Sequence, residues 1–169
     1  MNEAMGTVFY GLTAAACYGA GDFSGGVASK RNNVYGVVVM SQLVGLVLLL
    51  ATAILTGETL PGFESMLWAA LAGIFGGTGL IALYAGLAQG RMGVTAPVAA
   101  VVTTIVPVII GIRAEGLPGT GQLVGFGLAF VAVWLVSRTE DGHSIKLSDL
   151  KLPVFAGLGF GLFMVFIDQ

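Results

Sequence analysis

The sequence predicts an all-α membrane protein, a polytopic bundle of five transmembrane helices followed by a truncated sixth. The 169 residues are 56% hydrophobic and only 9% charged, whereas soluble globular proteins carry about 25% charged residues. Charge-free runs cover residues 32–57, 65–90, 92–112 and 116–137. Each run exceeds the roughly 18 to 20 apolar residues that cross the hydrocarbon core of a bilayer, so the lipid bilayer is the first expected partner.

Composition also excludes several classes of function. The net charge of −2 gives no basic surface for nucleic acid. The single cysteine, Cys17, excludes an internal disulfide and a cysteine metal cluster, and the single histidine, His143, lies in a polar segment. No cofactor and no metal are expected. The N-terminus lacks the basic region of a signal peptide, since its only charged side chain is Glu3.

The apolar runs and the polar segments between them place each span. The predicted spans are Thr7–Ser29, Val34–Thr56, Ser65–Gln89, Val94–Ile112 and Thr120–Val136. A polar connection at 138–151 is too charged to lie in lipid. The sixth span begins near Leu152 and stops at Gln169, which is short for a bilayer crossing. We therefore expect a five-helix unit at 1–137, a connection at 138–151 and the start of a second unit at 152–169, in a chain that is part of a longer protein.

Glycine and proline predict how the helices pack. The 27 glycines include pairs four residues apart, which let transmembrane helices approach closely. These pairs are Gly21/Gly25, Gly73/Gly77, Gly86/Gly90, Gly121/Gly125 and Gly157/Gly161. A homodimer through such faces is compatible with the pattern. Pro107 lies in the middle of the fourth span, where it removes a helix hydrogen bond and predicts a kink, either static or a hinge.

An internal repeat relates the first and sixth spans. The segments at 8–23 and 154–169 match at Val8/Val154, Phe9/Phe155, Gly11/Gly157, Leu12/Leu158 and Asp22/Asp168. The aspartate is the informative match, because carboxylates are rare in membrane spans. Five helices separate the starts of the two segments, so the second copy enters the membrane upside down. This is the inverted-repeat plan of many transporters, whose substrate sites lie at the repeat interface.

The stretch from Leu83 to Arg138 resembles the EamA-type transporters of the drug/metabolite transporter superfamily. The shared features are "LYAGL" at the end of the third span, small residues opening the fourth, Pro107 within it, and "AEG" before "QLVG" at the fifth. The family usually has glycine before the glutamate, where this chain has alanine. The resemblance implies a ten-helix protein of two inverted five-helix repeats that moves small organic solutes. The remaining helices of the second repeat would then be partners of this chain.

Asp22 is the leading candidate for the solute or proton site. It lies about four residues, or roughly 6 Å, past the middle of its predicted span. A charged aspartate near a helix centre costs roughly 2.5 to 3.5 kcal/mol, so it requires a water-filled cavity, a partner or protonation. Tyr18 lies one turn earlier on the same helix face and can donate to it. A structural carboxylate, satisfied by hydroxyl or backbone groups, is the alternative.

Three other polar groups complete the predicted site. Asp168 is the repeat counterpart of Asp22, and Tyr84 and Thr103 are deep in the third and fourth spans. Hydroxyls in such helices also bond to the backbone one turn back or to a neighbouring helix, so a packing role stays open for both.

The predicted function is secondary transport of a small organic solute by alternating access, coupled to protons or to exchange. Two other classes stay open. "GAGD" at 19–22 matches the GxGD pattern of intramembrane aspartyl proteases, with Asp22 and Asp168 as the carboxylate pair. A helical scaffold without transport, dimerising through its glycine faces, is the third class.

Lysine and arginine predict the orientation. Six of the seven follow the first, third and fifth spans, and Arg113 alone lies at the other side. The positive-inside rule places the six in the cytoplasm and the N-terminus outside, whereas the family resemblance favours a cytoplasmic N-terminus. We expect a prokaryotic plasma membrane as the location.

Overall fold

The computed structural model describes residues 3–90, 92–137 and 147–169. Six α-helices fill almost all of this part of the chain, which confirms the predicted all-α class. They are α1 (Glu3–Ser29), α2 (Val34–Thr56), α3 (Phe63–Ala88), α4 (Met92–Glu115), α5 (Thr120–Ser137) and α6 (Lys151–Ile167). A short 3-10 helix, Leu147–Leu150, leads directly into α6. Residues 138–146, most of the predicted polar connection, lie outside the described residues.

Four helical segments of the described chain are long and apolar enough to cross a membrane: Val34–Thr56, Phe63–Ala88, Met92–Arg113 and Ser148–Ile167. The protein is therefore an integral, multi-pass helical membrane protein. α1 has 27 residues, but its glycines and Asp22 lower its hydropathy. The apolar part of α5 is a shorter segment, Thr120–Leu135. Crossing by α1 and α5 stays a prediction.

Local sequence signals explain the bounds of α2. The Asn33 side chain accepts hydrogen bonds from the backbone N–H groups of Tyr35 and Gly36, at 2.9 and 3.4 Å, and so caps the first turn. Gly57 ends the helix with φ 70°. Its N–H donates to Ile54, and the N–H of Glu58 donates to Ala53, which is a Schellman motif that requires a left-handed residue. The predicted bounds of α2 are confirmed.

α3 is the central helix, and α6 packs most extensively against it and α4. The contacts show that α6 is antiparallel to α3, because Phe166 stacks on Trp68 near one end and Gly86 lies beside Leu152 near the other. α6 is parallel to α4, since Gly157 adjoins Ala99 and Gly161 adjoins Val106. With short connections between successive helices, the ends of α1 and α3 and the starts of α2, α4 and α6 share one end of the bundle.

Glycine allows a very close approach of α6 to its neighbours. A Cβ atom added to Gly159 would lie 2.8 Å from the carbonyl oxygen of Phe75 and 2.9 Å from the Cα of Gly79. A Cβ added to Gly157 would lie 2.7 Å from the carbonyl oxygen of Ala99. Gly73, Gly77, Gly121 and Gly125 have open space instead. The predicted packing role therefore applies to the Gly157/Gly161 pair and not to every pair.

Candidate functional site

A cavity of about 360 Å³ lies among α1, α2 and α3. Pockets for small molecules measure about 300 to 1,000 Å³, so this one has the size for a small metabolite. It is lined by Ala14, Cys17, Tyr18, Gly21, Asp22, Ser41, Gln42, Leu80 and Tyr84. The site is therefore built mainly on α1, with two residues each from α2 and α3.

The lining residues of α1 form one face of the helix. Residues 14, 17, 18, 21 and 22 follow the spacing of three and four that puts side chains on the same side. Ala14, Cys17 and Gly21 are small, so this face leaves space between α1 and its neighbours. The two larger side chains, Tyr18 and Asp22, are then the groups that α1 presents to a ligand.

Asp22 is the only charged side chain in the lining of this cavity. It is half-buried. Because α1 begins at Glu3 rather than near Thr7, its middle is near Ala16, and Asp22 lies about six residues, or roughly 9 Å, beyond it. Asp22 therefore lies farther from the helix middle than the sequence predicted, although the helix ends at Ser29 as predicted. Asp22 faces a cavity, which is one of the positions in which carboxylates within membrane spans are found.

Tyr84 joins α3 to α1 beside Asp22. Its side chain is only 5% exposed, and its hydroxyl donates to the backbone carbonyl of Gly21 at 3.4 Å, which is long for such a bond. The ring occupies the space that a Cβ atom on Gly25 would need. The packing of the Tyr84 ring against α1 therefore requires glycine at position 25. Tyr84 thus has a structural role in addition to lining the cavity.

Tyr18 lines the same cavity as Asp22, as the helix spacing predicted. No hydrogen bond joins the two side chains in the part of the chain that the structure describes. Tyr18 is 67% exposed, so its ring and hydroxyl are open to a ligand. The predicted donation from Tyr18 to Asp22 is absent from this arrangement.

The other predicted residues lie elsewhere. Thr103 is half-buried on α4, where its backbone carbonyl faces Gly161 of α6. Pro107 is inside α4, which continues through it and through Pro97 to Glu115. Asp168 is exposed at the end of α6. Neither Thr103 nor Asp168 lines the cavity, and their functional roles, like the kink at Pro107, stay predictions.

Asp22 and Asp168 lie in opposite halves of the bundle. Asp22 shares its cavity with Tyr84, near the end of α3, whereas Asp168 follows Phe166, which stacks on Trp68 near the start of α3. Trp68 and Tyr84 are separated by about 24 Å along the helix axis. The carboxylate pair of an aspartyl protease must share one proton across about 3 Å, so these two residues do not form such a pair.

Among the lining residues that sequence reasoning missed, two are polar residues of α2. Ser41 and Gln42 both line the cavity. The Ser41 hydroxyl donates to the carbonyl of Val38 at 2.8 Å. A signal was present, since Gln42 is the one carboxamide in the apolar sequence of α2. A side chain with one donor group and one acceptor group within a span is a candidate for ligand contact.

A comparison with protein families identifies the family to which the chain belongs. The sequence model of the EamA-like transporter family matches residues 5–138, which include almost all of α1 and the whole of α2 to α5. No curated protein matches the chain, and no solved structure matches it. The match covers well over half of the 169 residues. The chain therefore belongs to the EamA-like transporter family.

Proposed function

We propose that this protein is a secondary transporter that moves a small organic solute by alternating access, with Asp22 as the group that binds a proton or a cationic solute. Membership of the family makes it a membrane transporter of small solutes. The observation that carries the finer proposal is the cavity among α1, α2 and α3, in which a single carboxylate is surrounded by neutral side chains.

The mechanism follows from the position of the carboxylate. An aspartate in a water-filled cavity can ionise, whereas the same group closed off from water is disfavoured in its charged form. Asp22 would release its proton, or bind a cation, when the cavity is open to one side of the membrane and reverse this on the other. Other titratable groups that face the cavity are the phenols of Tyr18 and Tyr84 and the thiol of Cys17. None of these carries a positive charge.

The match between α1 and α6 supports a two-repeat plan for the transporter. We propose that α6 begins a second five-helix repeat and that the complete protein has ten helices in a prokaryotic plasma membrane. The match of Asp22 with Asp168 and of four apolar positions in α1 and α6 supports this plan.

Asp22→Asn in the full-length protein tests the proposal. Asparagine keeps the size and hydrogen-bonding capacity of the side chain but cannot titrate. We expect the variant to assemble and its transport to lose its pH dependence between about pH 5 and pH 8. The measurement is solute flux in proteoliposomes over a panel of amino acids, sugars and cationic drugs. Glu64→Gln is the matched control, because Glu64 is exposed in the first turn of α3, outside the cavity.

Three outcomes would contradict the proposal. Unchanged pH-dependent transport by Asp22→Asn would make the carboxylate structural. Absence of flux for every solute, together with cleavage of peptides, would favour the protease class. Absence of both activities would favour the scaffold class.

A further inference from the structure

We propose that the solute is a small organic ammonium ion with N–H groups, a primary or secondary amine, and that Gln42 on α2 is a specificity-determining residue for it. This inference rests on the proposed function, because it assigns a substrate class to the same cavity. Gln42 would contribute a ligand-binding group from α2 to a site whose charged residue, Asp22, lies on α1.

Asp22 and Gln42 lie at similar depths on neighbouring helices. Asp22 is seven residues before the end of α1, and Gln42 is eight residues after the start of α2, at the same end of the bundle. At 1.5 Å per residue both are about 10 to 12 Å from that end. Both line one cavity of about 360 Å³. A small ligand in it can therefore contact the carboxylate and the amide at the same time.

The charge of the lining favours a cation. Asp22 is the single charged side chain among the lining residues, and lysine, arginine and histidine are absent from them. A cationic solute can pair with the carboxylate and so offset the cost of burying its own charge. An anionic solute would be repelled, and a neutral solute would leave the carboxylate unpaired.

Hydrogen bonding distinguishes among cations. The Ser41 hydroxyl donates to Val38 and the Tyr84 hydroxyl donates to Gly21, so both protons are already used, and toward a ligand these oxygens can only accept. Gln42 makes no side-chain hydrogen bond in the described chain, and its amide oxygen is an acceptor that lines the same cavity as the carboxylate. A primary ammonium group has three N–H donors, whereas a quaternary ammonium group has none and would leave both acceptors unpaired.

The opposite preference would require an aromatic cage, since quaternary ammonium ions bind to the faces of several rings. The cavity has two tyrosines, but the Tyr84 ring packs against Gly25 and is almost completely buried. Only Tyr18 offers an open ring. The apolar part of the solute can instead contact Ala14, Cys17 and Leu80.

Cys17 makes the test possible without an added label. It is the one cysteine of the chain, it is exposed, and it lines the cavity. A methanethiosulfonate reagent converts its thiol to a mixed disulfide and releases methanesulfinate. The full-length protein in proteoliposomes is treated with the positively charged aminoethyl reagent and with the negatively charged sulfonatoethyl reagent. Cys17→Ser controls for reaction elsewhere. We expect the cationic reagent to react about tenfold faster because of Asp22, and Asp22→Asn to remove most of this difference.

Protection of Cys17 then measures binding with three matched probes: phenethylamine, its N,N,N-trimethyl analogue and the neutral 2-phenylethanol. We expect phenethylamine to protect at concentrations roughly tenfold lower than either of the others, since hydrogen bonds to a charged group discriminate by about this factor or more. Gln42→Leu should reduce the preference for phenethylamine over the trimethyl analogue to about twofold or less, while the preference over 2-phenylethanol persists.

The outcomes separate the two proposals. If neither charged reagent reaches Cys17, the cavity is not water-filled, and the proposed function loses its site. If Cys17 reacts but the neutral probe protects as well as phenethylamine, the cavity stands and the cationic substrate class is wrong. Equal or stronger protection by the trimethyl analogue in the unmodified protein would overturn the selection of N–H groups. An unchanged preference in Gln42→Leu would overturn the role of Gln42.

Discussion

α1 and α6 carry the same sequence pattern but have different surroundings. Gly157 of α6 lies against Val102 and the backbone of Ala99. A Cβ atom added to its counterpart in α1, Gly11, would meet nothing within 4 Å. Much of one face of α6 is buried between α3 and α4, while α1 is mostly exposed and contacts α3 through Gly25 and Gly26 near its end. The cavity lies beside the loosely packed helix. The pattern alone therefore does not determine burial; the partner helices do, and the candidate site occupies the region where they leave space.

The largest effect is expected from Gly157→Val. A side chain there would meet the backbone of α4, and overpacking of this kind costs about 1 to 3 kcal/mol, occasionally more. We expect a lower thermal stability in detergent and loss of monodisperse protein, measured by size-exclusion chromatography on heating.

Gly11→Val is the matched control in α1. Its site has open space in the described chain, so a small effect is expected. A large effect from Gly11→Val would show that this face of α1 packs against another part of the full-length protein. A small effect from Gly157→Val would contradict the close packing of α6.

Asp168→Asn compares the two carboxylates. Asp168 is exposed at the end opposite the cavity, so we expect transport by this variant to keep most of its pH dependence, in contrast to Asp22→Asn. Flux in proteoliposomes at several pH values is the measurement. Equal effects of the two substitutions would indicate that both repeats supply a carboxylate to the transport path, as the internal repeat predicts.

Tyr84→Phe tests the contact between α1 and α3 with a smaller effect. The variant keeps the ring against Gly25 and loses only the hydroxyl, whose bond to Gly21 is 3.4 Å long. We expect a loss of about 1 kcal/mol or less, measured as a shift of the unfolding midpoint. Tyr10→Phe is the control, because Tyr10 is exposed on α1. A loss several times larger would mean that the hydroxyl has a second partner in the full-length protein.

Thr59→Cys should leave the stability unchanged. Labelling of the introduced cysteine determines the orientation of the chain in the membrane. Thr59 lies in the connection between α2 and α3 and is exposed. In a Cys17→Ser background we expect Thr59→Cys to react with an impermeant maleimide from outside the cell, because the basic residues Lys30 and Arg31 are at the opposite end. Asn32→Cys is the matched control and should be protected. The reverse pattern would place the N-terminus in the cytoplasm.

The sequence predicted the helices more accurately than the contacts between them. Asn33 and Gly57 are strong local signals, and the bounds of α2 were confirmed. The predicted first span begins at Thr7, because Glu3 and Gly6 are not apolar. The helix α1 nevertheless begins at Glu3. Asp22 stood out because one carboxylate in an apolar run is costly. Gln42 did not, since an uncharged amide interrupts the run without a comparable penalty.

Tertiary contacts could not be derived in the same way. The glycine pairs of α3 and α6 look alike in sequence, but Gly73 and Gly77 have open space whereas Gly157 and Gly161 are tightly packed. Which glycines meet depends on helix rotation and on the order of neighbours, and neither is encoded in a spacing of four residues. Helix rotation and the order of neighbours likewise explain why Thr103 lies outside the cavity.

The contact between Gly79 and Gly159 has an entropic consequence. Glycine has no side-chain rotamers, so docking of α6 against α3 restricts none at this point of contact. Glycine gives up more backbone freedom than any other residue, but that loss occurs when each helix forms, before the helices meet. The association of the two helices at this point therefore carries little conformational entropy cost of its own, and its strength is determined by dispersion attraction between the two backbones.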